Sequence, residues 1–385
     1  MALQALTGAR IFDGTAFHDN AGLLVEDGEI VGIVAQADVP RGAVLTALPG
    51  GALCPGFIDA QVNGGAGRLL NDAPDAPTMQ MIAGGHRPFG TTGLLPTLIT
   101  DHPFAVTAAI AAAREAVRAD GAVLGLHLEG PHLAPARKGT HLAELMHPLG
   151  DAAMAELLAA ARHLPVLLLT LAAEQVTPAQ VRALTAAGAV VSIGHSDCDH
   201  RAAAALFAAG ARGVTHLFNA MSGLGHRAPG LVGAALEAPD VWAGIIADGH
   251  HVDPLALRIA LRAKRGPGRL FLVTDAMSLV GQPGDRLTLN GREIRRLRDG
   301  QGCSRLTLAD GTLAGSDLDM ASALRFAVAH LEVPLAEALR MAATYPADFL
   351  GLGSRGRLRP GARADLVHLD AGLQVCRVWI RGRVA

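Results

Sequence analysis

Four stretches far apart in the chain each set a carboxylate or an imidazole directly behind a strand-like apolar run: His127-Leu128-Glu129-Gly130-Pro131, Gly194-His195-Ser196, Thr215-His216-Leu217-Phe218-Asn219-Ala220-Met221 and Thr274-Asp275-Ala276-Met277. Polar groups leaving the carboxyl ends of different strands meet in space only when those strands run parallel and close into a barrel or bound one crevice. The pattern predicts a single hydrolytic metal site at the mouth of a parallel sheet.

Eight apolar runs are present, at 57–62, 94–98, 123–128, 166–171, 189–193, 213–215, 243–247 and 270–273. Segments 105–119, 152–162, 178–187 and 201–209, rich in strong helix formers, lie between several of them. Thr177-Pro178 and Asp253-Pro254 have the form of an N-cap followed by a first helical residue. Such alternation favours a parallel α/β architecture. A chain of 385 residues accommodates a barrel of about 250 residues and a smaller unit besides.

The smaller unit is expected from both termini. Residues 9–12, 23–26 and 30–34 are short and β-rich with a turn at Asp27-Gly28, and 363–369 and 375–380 resemble them around Ala371-Gly372. The expected division is 1–53 with 355–385 for the β unit and 54–354 for the barrel. A β excursion is expected over 281–311, with helix resuming at 317–330 and 335–343. Gly351-Leu352-Gly353-Ser354-Arg355-Gly356 fits a dinucleotide-binding pattern, but it follows a helix and precedes a strand, the reverse of the required context. It is expected to be a helix stop and turn.

Formal net charge is −2, with no Lys/Arg run to track a phosphate backbone, so nucleic acid is not an expected partner. No apolar stretch approaches the roughly 20 residues of a membrane span. The first residues lack the apolar core of a secretion signal. Cys54, Cys198, Cys303 and Cys376 form no Cys-x-x-Cys pair, and reduced thiols in a cytoplasmic protein are expected.

Glu129, His195 and His216 supply one carboxylate and two imidazoles, a set suited to a borderline divalent metal with a position left for water. Asp275, behind the eighth run, is placed to take a proton from that water and return it to a leaving amine.

With these motifs, the chain resembles the N-acetylglucosamine-6-phosphate deacetylase family of the amidohydrolase superfamily. Further matching pieces are Pro55-Gly56-Phe57-Ile58-Asp59, Asp248-Gly249-His250-His251 and Leu313-Ala314-Gly315-Ser316. The resemblance implies a (β/α)8 TIM-like barrel with a small β-sandwich domain built from both chain termini. It implies cleavage of N-acetyl-D-glucosamine 6-phosphate to D-glucosamine 6-phosphate and acetate in amino sugar catabolism, the galactosamine epimer or another acylated amine being the alternative.

Where most of the superfamily carries His-x-His, this chain has Gln61-Val62-Asn63. Amides bind divalent cations weakly, so one metal per subunit is expected, zinc first and iron, cobalt or manganese otherwise. By the same resemblance His141 polarises the acetyl carbonyl, and Asn219, Ala220, Arg227, His251, Leu313, Ala314 and Gly315 contact the substrate. Arg227 and His251 are expected to receive the sugar phosphate by reaching a neighbouring subunit's site in a homodimer. His132 and His250 stand out as additional imidazoles that would tune metal or sugar preference.

Overall fold

The eight apolar runs become eight parallel strands: β1 (Phe57–Val62), β2 (Thr91–Ile99), β3 (Leu126–Glu129), β4 (Leu167–Leu171), β5 (Val190–Ile193), β6 (Gly213–Val214), β7 (Trp242–Ile245) and β8 (Leu270–Leu272). A computed structural model describes residues 2–119, 121–298 and 304–385, so Cys303 lies outside the described residues. Each strand pairs with its neighbour in sequence order, making one eight-stranded sheet. All nine residues of β2 are buried, as are all six of β1. A parallel sheet covered on both faces leaves no solvated side, which is why these strands are mostly apolar.

One helix follows each strand: α1 (Ala76–His86), α2 (Pro103–Ala116), α3 (Asp151–His163), α4 (Pro178–Ala186), α5 (His200–Ala208), α6 (Gly230–Glu237), α7 (Pro254–Ala263) and α8 (Met320–His330). Strand then helix, eight times over, is the TIM-barrel plan. Thr177 caps α4 reciprocally: its hydroxyl accepts the Gln180 N–H at 3.2 Å, and Gln180 Oε1 accepts the Thr177 N–H at 2.8 Å. Thr177→Ala is expected to lower the unfolding free energy by about 1 kcal/mol, read from urea denaturation, with turnover unchanged.

The ring closes between β8 and β1 by contacts just past their paired segments. Asp275 N–H donates to Gln61 O at 3.0 Å, Asn63 N–H donates to Ala276 O at 2.9 Å, and Val62 bridges Ala276. Below them the buried Asp59 carboxylate accepts the Thr274 hydroxyl at 2.5 Å and the Thr274 and Gln61 N–H groups at 3.2 Å each. A side chain thus does part of the stitching that a strand ladder does elsewhere.

The termini form two further sheets. Glu29–Ala35, Ala21–Glu26, Gln4–Thr7 and Val44–Ala47 make the first; Arg383–Val384, Val375–Ile380, Leu366–Leu369, Ala52–Pro55, Arg10–Phe12 and Phe17–His18 make the second. Leu6, Ile11, Leu23, Leu53, Leu366 and Trp379 share their core. The turn at Asp27-Gly28 has both residues at positive φ, 50° and 84°, the two-residue geometry that matches strand twist. Ala52–Pro55 passes through Gly56 straight into β1, and a Cβ at Gly56 would stand 2.1 Å from the Thr92 hydroxyl.

After β8 the chain forms a four-stranded antiparallel cap, Arg286–Leu289, Arg292–Arg298, Ser304–Thr307 and Leu313–Ser316. Its own small core, with Leu287, Ile294, Leu306 and Ala314, extends to Ile99 and Met277 of the barrel mouth. The helix expected over 335–343 is divided into Leu335–Leu339, a π turn at Arg340–Thr344 and Tyr345–Leu350. Pro346 has no N–H to give residue 342, so the wider turn falls there. Gly351 ends the last helix at φ 73°, confirming that the glycine pattern is a helix stop. Among the described residues no helix is long and apolar enough to cross a membrane.

Candidate metal centre and active site

Glu129 closes β3, His195 follows β5 by two residues, His216 follows β6 by two, and Asp275 follows β8 by three. The chain turns sharply at the last three, with φ of 46° at His195, 31° at His216 and 54° at Asp275. Residues with a Cβ avoid this region, at a cost of about 1–3 kcal/mol each, and such strain concentrates at functional sites. Here it turns each side chain back over the barrel mouth.

Glu129 Oε1 lies 3.0 Å from His216 Nε2 and 3.2 Å from His195 Nε2, and the two nitrogens stand 3.1 Å apart. A tetrahedral ion with ligand bonds near 2.0–2.1 Å sets its donor atoms about 3.3 Å apart. The trio therefore fits one divalent ion. His195 Nδ1 donates to Arg137 O at 2.8 Å, which leaves Nε2 bare for coordination.

His141 also comes close, with a ligand atom within 4.8 Å of those of Glu129 and His195. Its Nδ1 accepts the Thr100 N–H at 3.3 Å and meets the Thr100 hydroxyl at 2.8 Å. Burial, and then His195 nearby, pushes its pKa down to about 3, so the ring is neutral. With Nδ1 accepting, the single proton of the neutral ring sits on Nε2, which can donate a hydrogen bond into the site.

Burial opposes charge on Glu129, yet hydrogen bonds from His195 and His216 and their positive charge hold its carboxyl well below the usual range. His216 is raised, because the Glu129 bond and charge outweigh the burial that opposes protonation. Burial and the charge of Glu129 push Asp275 up to about 6, while His216 and an Asn63 hydrogen bond pull it back. Protons and a cation compete for the same atoms, and a raised imidazole releases its proton only at higher pH. Zn2+ affinity is accordingly expected to weaken with acid, by about tenfold per pH unit below the His216 pKa, in chelator-competition titrations at pH 8, 7 and 6.

The trio opens into a cavity of about 220 Å³. Its walls include His141, Asn219, Ala220, His251, Asp275, Leu313 and Gly315, all expected from the sequence. Asn63, Ile99, Gly139, Thr140, Met277 and Thr312 complete them without having been singled out as contacts. Ile99 and Met277 read as ordinary core residues, and only the fold reveals that they face the mouth.

The remaining candidates take different positions. Ala314 faces the cap's core, not the cavity, because successive residues of Leu313–Ser316 point to opposite faces. His251 lines its own chain's cavity, 5% exposed, with Nδ1 donating to Asp248 Oδ2 at 2.6 Å. His132 turns away into a separate apolar cavity against His147, its Nδ1 donating to His147 O at 3.0 Å, and has no place near the sugar or metal. His250 does not line the cavity either, although its N–H joins that of His251 on Asp248 Oδ1, at 2.8 and 2.9 Å. Arg227 is exposed on the loop before α6, outside this chain's cavity.

The Amidohydrolase family matches residues 52–385. An N-acetylgalactosamine-6-phosphate deacetylase of Shewanella sp. (strain ANA-3) is 40% identical, across 98% of this chain and 94% of its own. An N-acetylglucosamine-6-phosphate deacetylase of Haemophilus influenzae is 34% identical, across 94% and 93%. The solved N-acetylglucosamine-6-phosphate deacetylase of Pasteurella multocida superposes with a TM-score of 0.94 at 31% identity, covering 100% of this chain and 99% of its own.

Proposed function

The chain belongs to the amidohydrolase family, and from that premise we propose that it hydrolyses N-acetyl-D-glucosamine 6-phosphate to D-glucosamine 6-phosphate and acetate. The observation that carries this is the convergence of Glu129, His195 and His216 beside Asp275 and a donating His141, in one cavity. A divalent ion, zinc on this donor set, supplies when bound a water that ionises near neutral pH and a Lewis acid for the carbonyl.

The chain's own residues do the rest. Asp275 accepts the proton the attacking water loses as its oxygen bonds to the acetamide carbon. His141 Nε2–H donates to the carbonyl oxygen as negative charge builds there. Asp275 then passes its proton to the nitrogen, the C–N bond breaks, and the free amine and acetate depart. His141→Ala is expected to cut kcat about 10²–10³-fold with a smaller change in KM, checked by steady-state acetate release.

His251, braced by Asp248, and Arg227 of a neighbouring subunit in a homodimer are the proposed phosphate receivers, with Asn219, Ala220, Leu313 and Gly315 against the sugar. Free, reduced Cys54, Cys198 and Cys376 agree with a cytoplasmic setting. Residues 1–53 with 355–385 form the proposed sandwich domain and 54–354 the catalytic one.

The 40% identity to the Shewanella relative favours the galacto epimer as a second candidate. Acetate release from both phosphosugars and from unphosphorylated N-acetylglucosamine, before and after chelation, tests the choice. A higher kcat/KM on the gluco substrate, lost on chelation and weakened without the phosphate, is expected. A higher value on the galacto substrate would transfer the assignment, and activity indifferent to chelation would end it.

A further inference from the structure

Gln61 and Asn63 stand at the end of β1, and both are almost fully buried. Neither has ligand chemistry of the trio's strength, and their geometry shows a different use. Gln61 Nε2 lies 3.1 and 3.2 Å from the two Glu129 oxygens and 3.1 Å from Asp275 Oδ1. Asn63 Nδ2 lies 2.7 Å from the same Asp275 Oδ1 and 3.2 Å from Asp275 O.

The amide orientation follows from the partners. Turning Asn63 over would set its oxygen against two acceptors of Asp275, whereas in the observed orientation its Oδ1 merely lacks a partner. Gln61 likewise presents its two N–H groups to carboxylates on both sides. Both amides meet on Oδ1, and among the described residues no hydrogen bond reaches Oδ2.

We infer that Gln61 and Asn63 are positioning residues that clamp Asp275 through Oδ1, reserving Oδ2 for proton transfer, and that Gln61 also braces Glu129 against its neighbouring negative charge. This rests on the proposed hydrolysis with Asp275 as proton carrier. Two carboxylates so near each other repel, and an N–H donor between them lowers that repulsion without adding a charge. Backbone restraint completes the clamp: Asp275 N–H is tied to Gln61 O, and Asp275 O accepts the Ser316 N–H at 2.9 Å. With side chain and main chain held from the same strand, Asp275 has one orientation toward the trio.

The two amides touch different sets of atoms, so their removal separates the roles. Asn63→Leu, which loses only the Asp275 contacts, is expected to lower kcat about tenfold with KM and Zn2+ affinity each within about threefold of wild type. Gln61→Met, of similar size but without N–H, is expected to lower kcat comparably and also to weaken Zn2+ binding about tenfold in chelator competition. In an Asp275→Asn background, Asn63→Leu is expected to cost less than twofold further in kcat. Wild-type kcat in Asn63→Leu, or wild-type Zn2+ affinity in Gln61→Met, would overturn the clamp. Should either variant fail to fold by circular dichroism, Asn63→Ala and Gln61→Ala, which remove the N–H without adding bulk or charge, carry the same expectations. The Zn2+ titration needs no substrate, so it reads the brace on Glu129 even if wild type turns over neither phosphosugar, the result that would defeat the proposed function itself.

Discussion

Asp275→Asn is expected to reduce kcat by about 10²–10⁴-fold while the protein keeps its metal. The amide retains the shape of the carboxylate but cannot take the proton of the attacking water or return one to the departing nitrogen. Both halves of the reaction are lost together, because the same oxygen serves in each. Stability is not expected to fall. Asp275 is held up to about 6 by burial and by the charge of Glu129, so its ionisation is already unfavourable and a neutral side chain relieves that repulsion. The sign can be checked: native pKa above the unfolded value means that ionising Asp275 subtracts stability as pH rises from about 4 toward 6. In Asp275→Asn that decrement disappears. Steady-state acetate release, metal content per chain and urea midpoints at pH 5 and 7 together decide the matter; a variant turning over within a few-fold of wild type would remove Asp275 from the chemistry.

Glu129→Gln is expected to be more severe and of a different kind. It removes the only anionic member of the trio, so zinc content falls well below one per chain and activity drops by at least about 10⁴-fold as the water returns toward its bulk pKa. It also strands the two imidazoles. His216 owes its raised pKa chiefly to Glu129, and without that partner only the charge of Asp275 remains to favour its buried protonated form. The metal-free variant should therefore be destabilised most at low pH, where His216 is forced to charge, and least at pH 8. Metal analysis and thermal unfolding at pH 6 and 8 test both statements. Retention of one tightly bound zinc per chain would mean that the trio is not the ligand set.

The barrel and the convergence of Glu129, His195 and His216 are legible in the sequence for one reason. Buried parallel strands are mostly apolar runs, and a polar residue that ends such a run has few reasons to be there other than the mouth of the barrel. Helices α1 and α6 are less legible, since Gly84, Gly85, Gly230 and Gly233 depress local helix propensity and packing alone recovers it. Met79, Ile82 and Ala83 of α1 are buried against the sheet, which supplies what propensity lacks. The cavity wall is partly illegible for a geometric reason. Alternation along Leu313–Ser316 decides that Gly315 faces the sugar side and Ala314 does not, and a motif read as a block conceals that. His251 is found by its motif, but the Asp248 bond that orients its ring is a tertiary fact. Gln61 and Asn63 read as the loss of ligands; only coordinates reveal which amide atom points where.

The place where the ring closes carries a last implication. Glu129 ends β3, and His195 and His216 follow β5 and β6, well inside the run of laddered strands, whereas Asp275, Gln61 and Asn63 straddle the joint between β8 and β1. That joint relies on a few main-chain bonds and on Asp59 with Thr274 rather than on a strand ladder. Gln61 reaches from the joint to both Glu129 and Asp275, so the arc that carries Asp275 is tied to the arc that carries the trio. A shift at the joint is therefore expected to reach Asp275 first and, through Gln61, the grip on the ion as well.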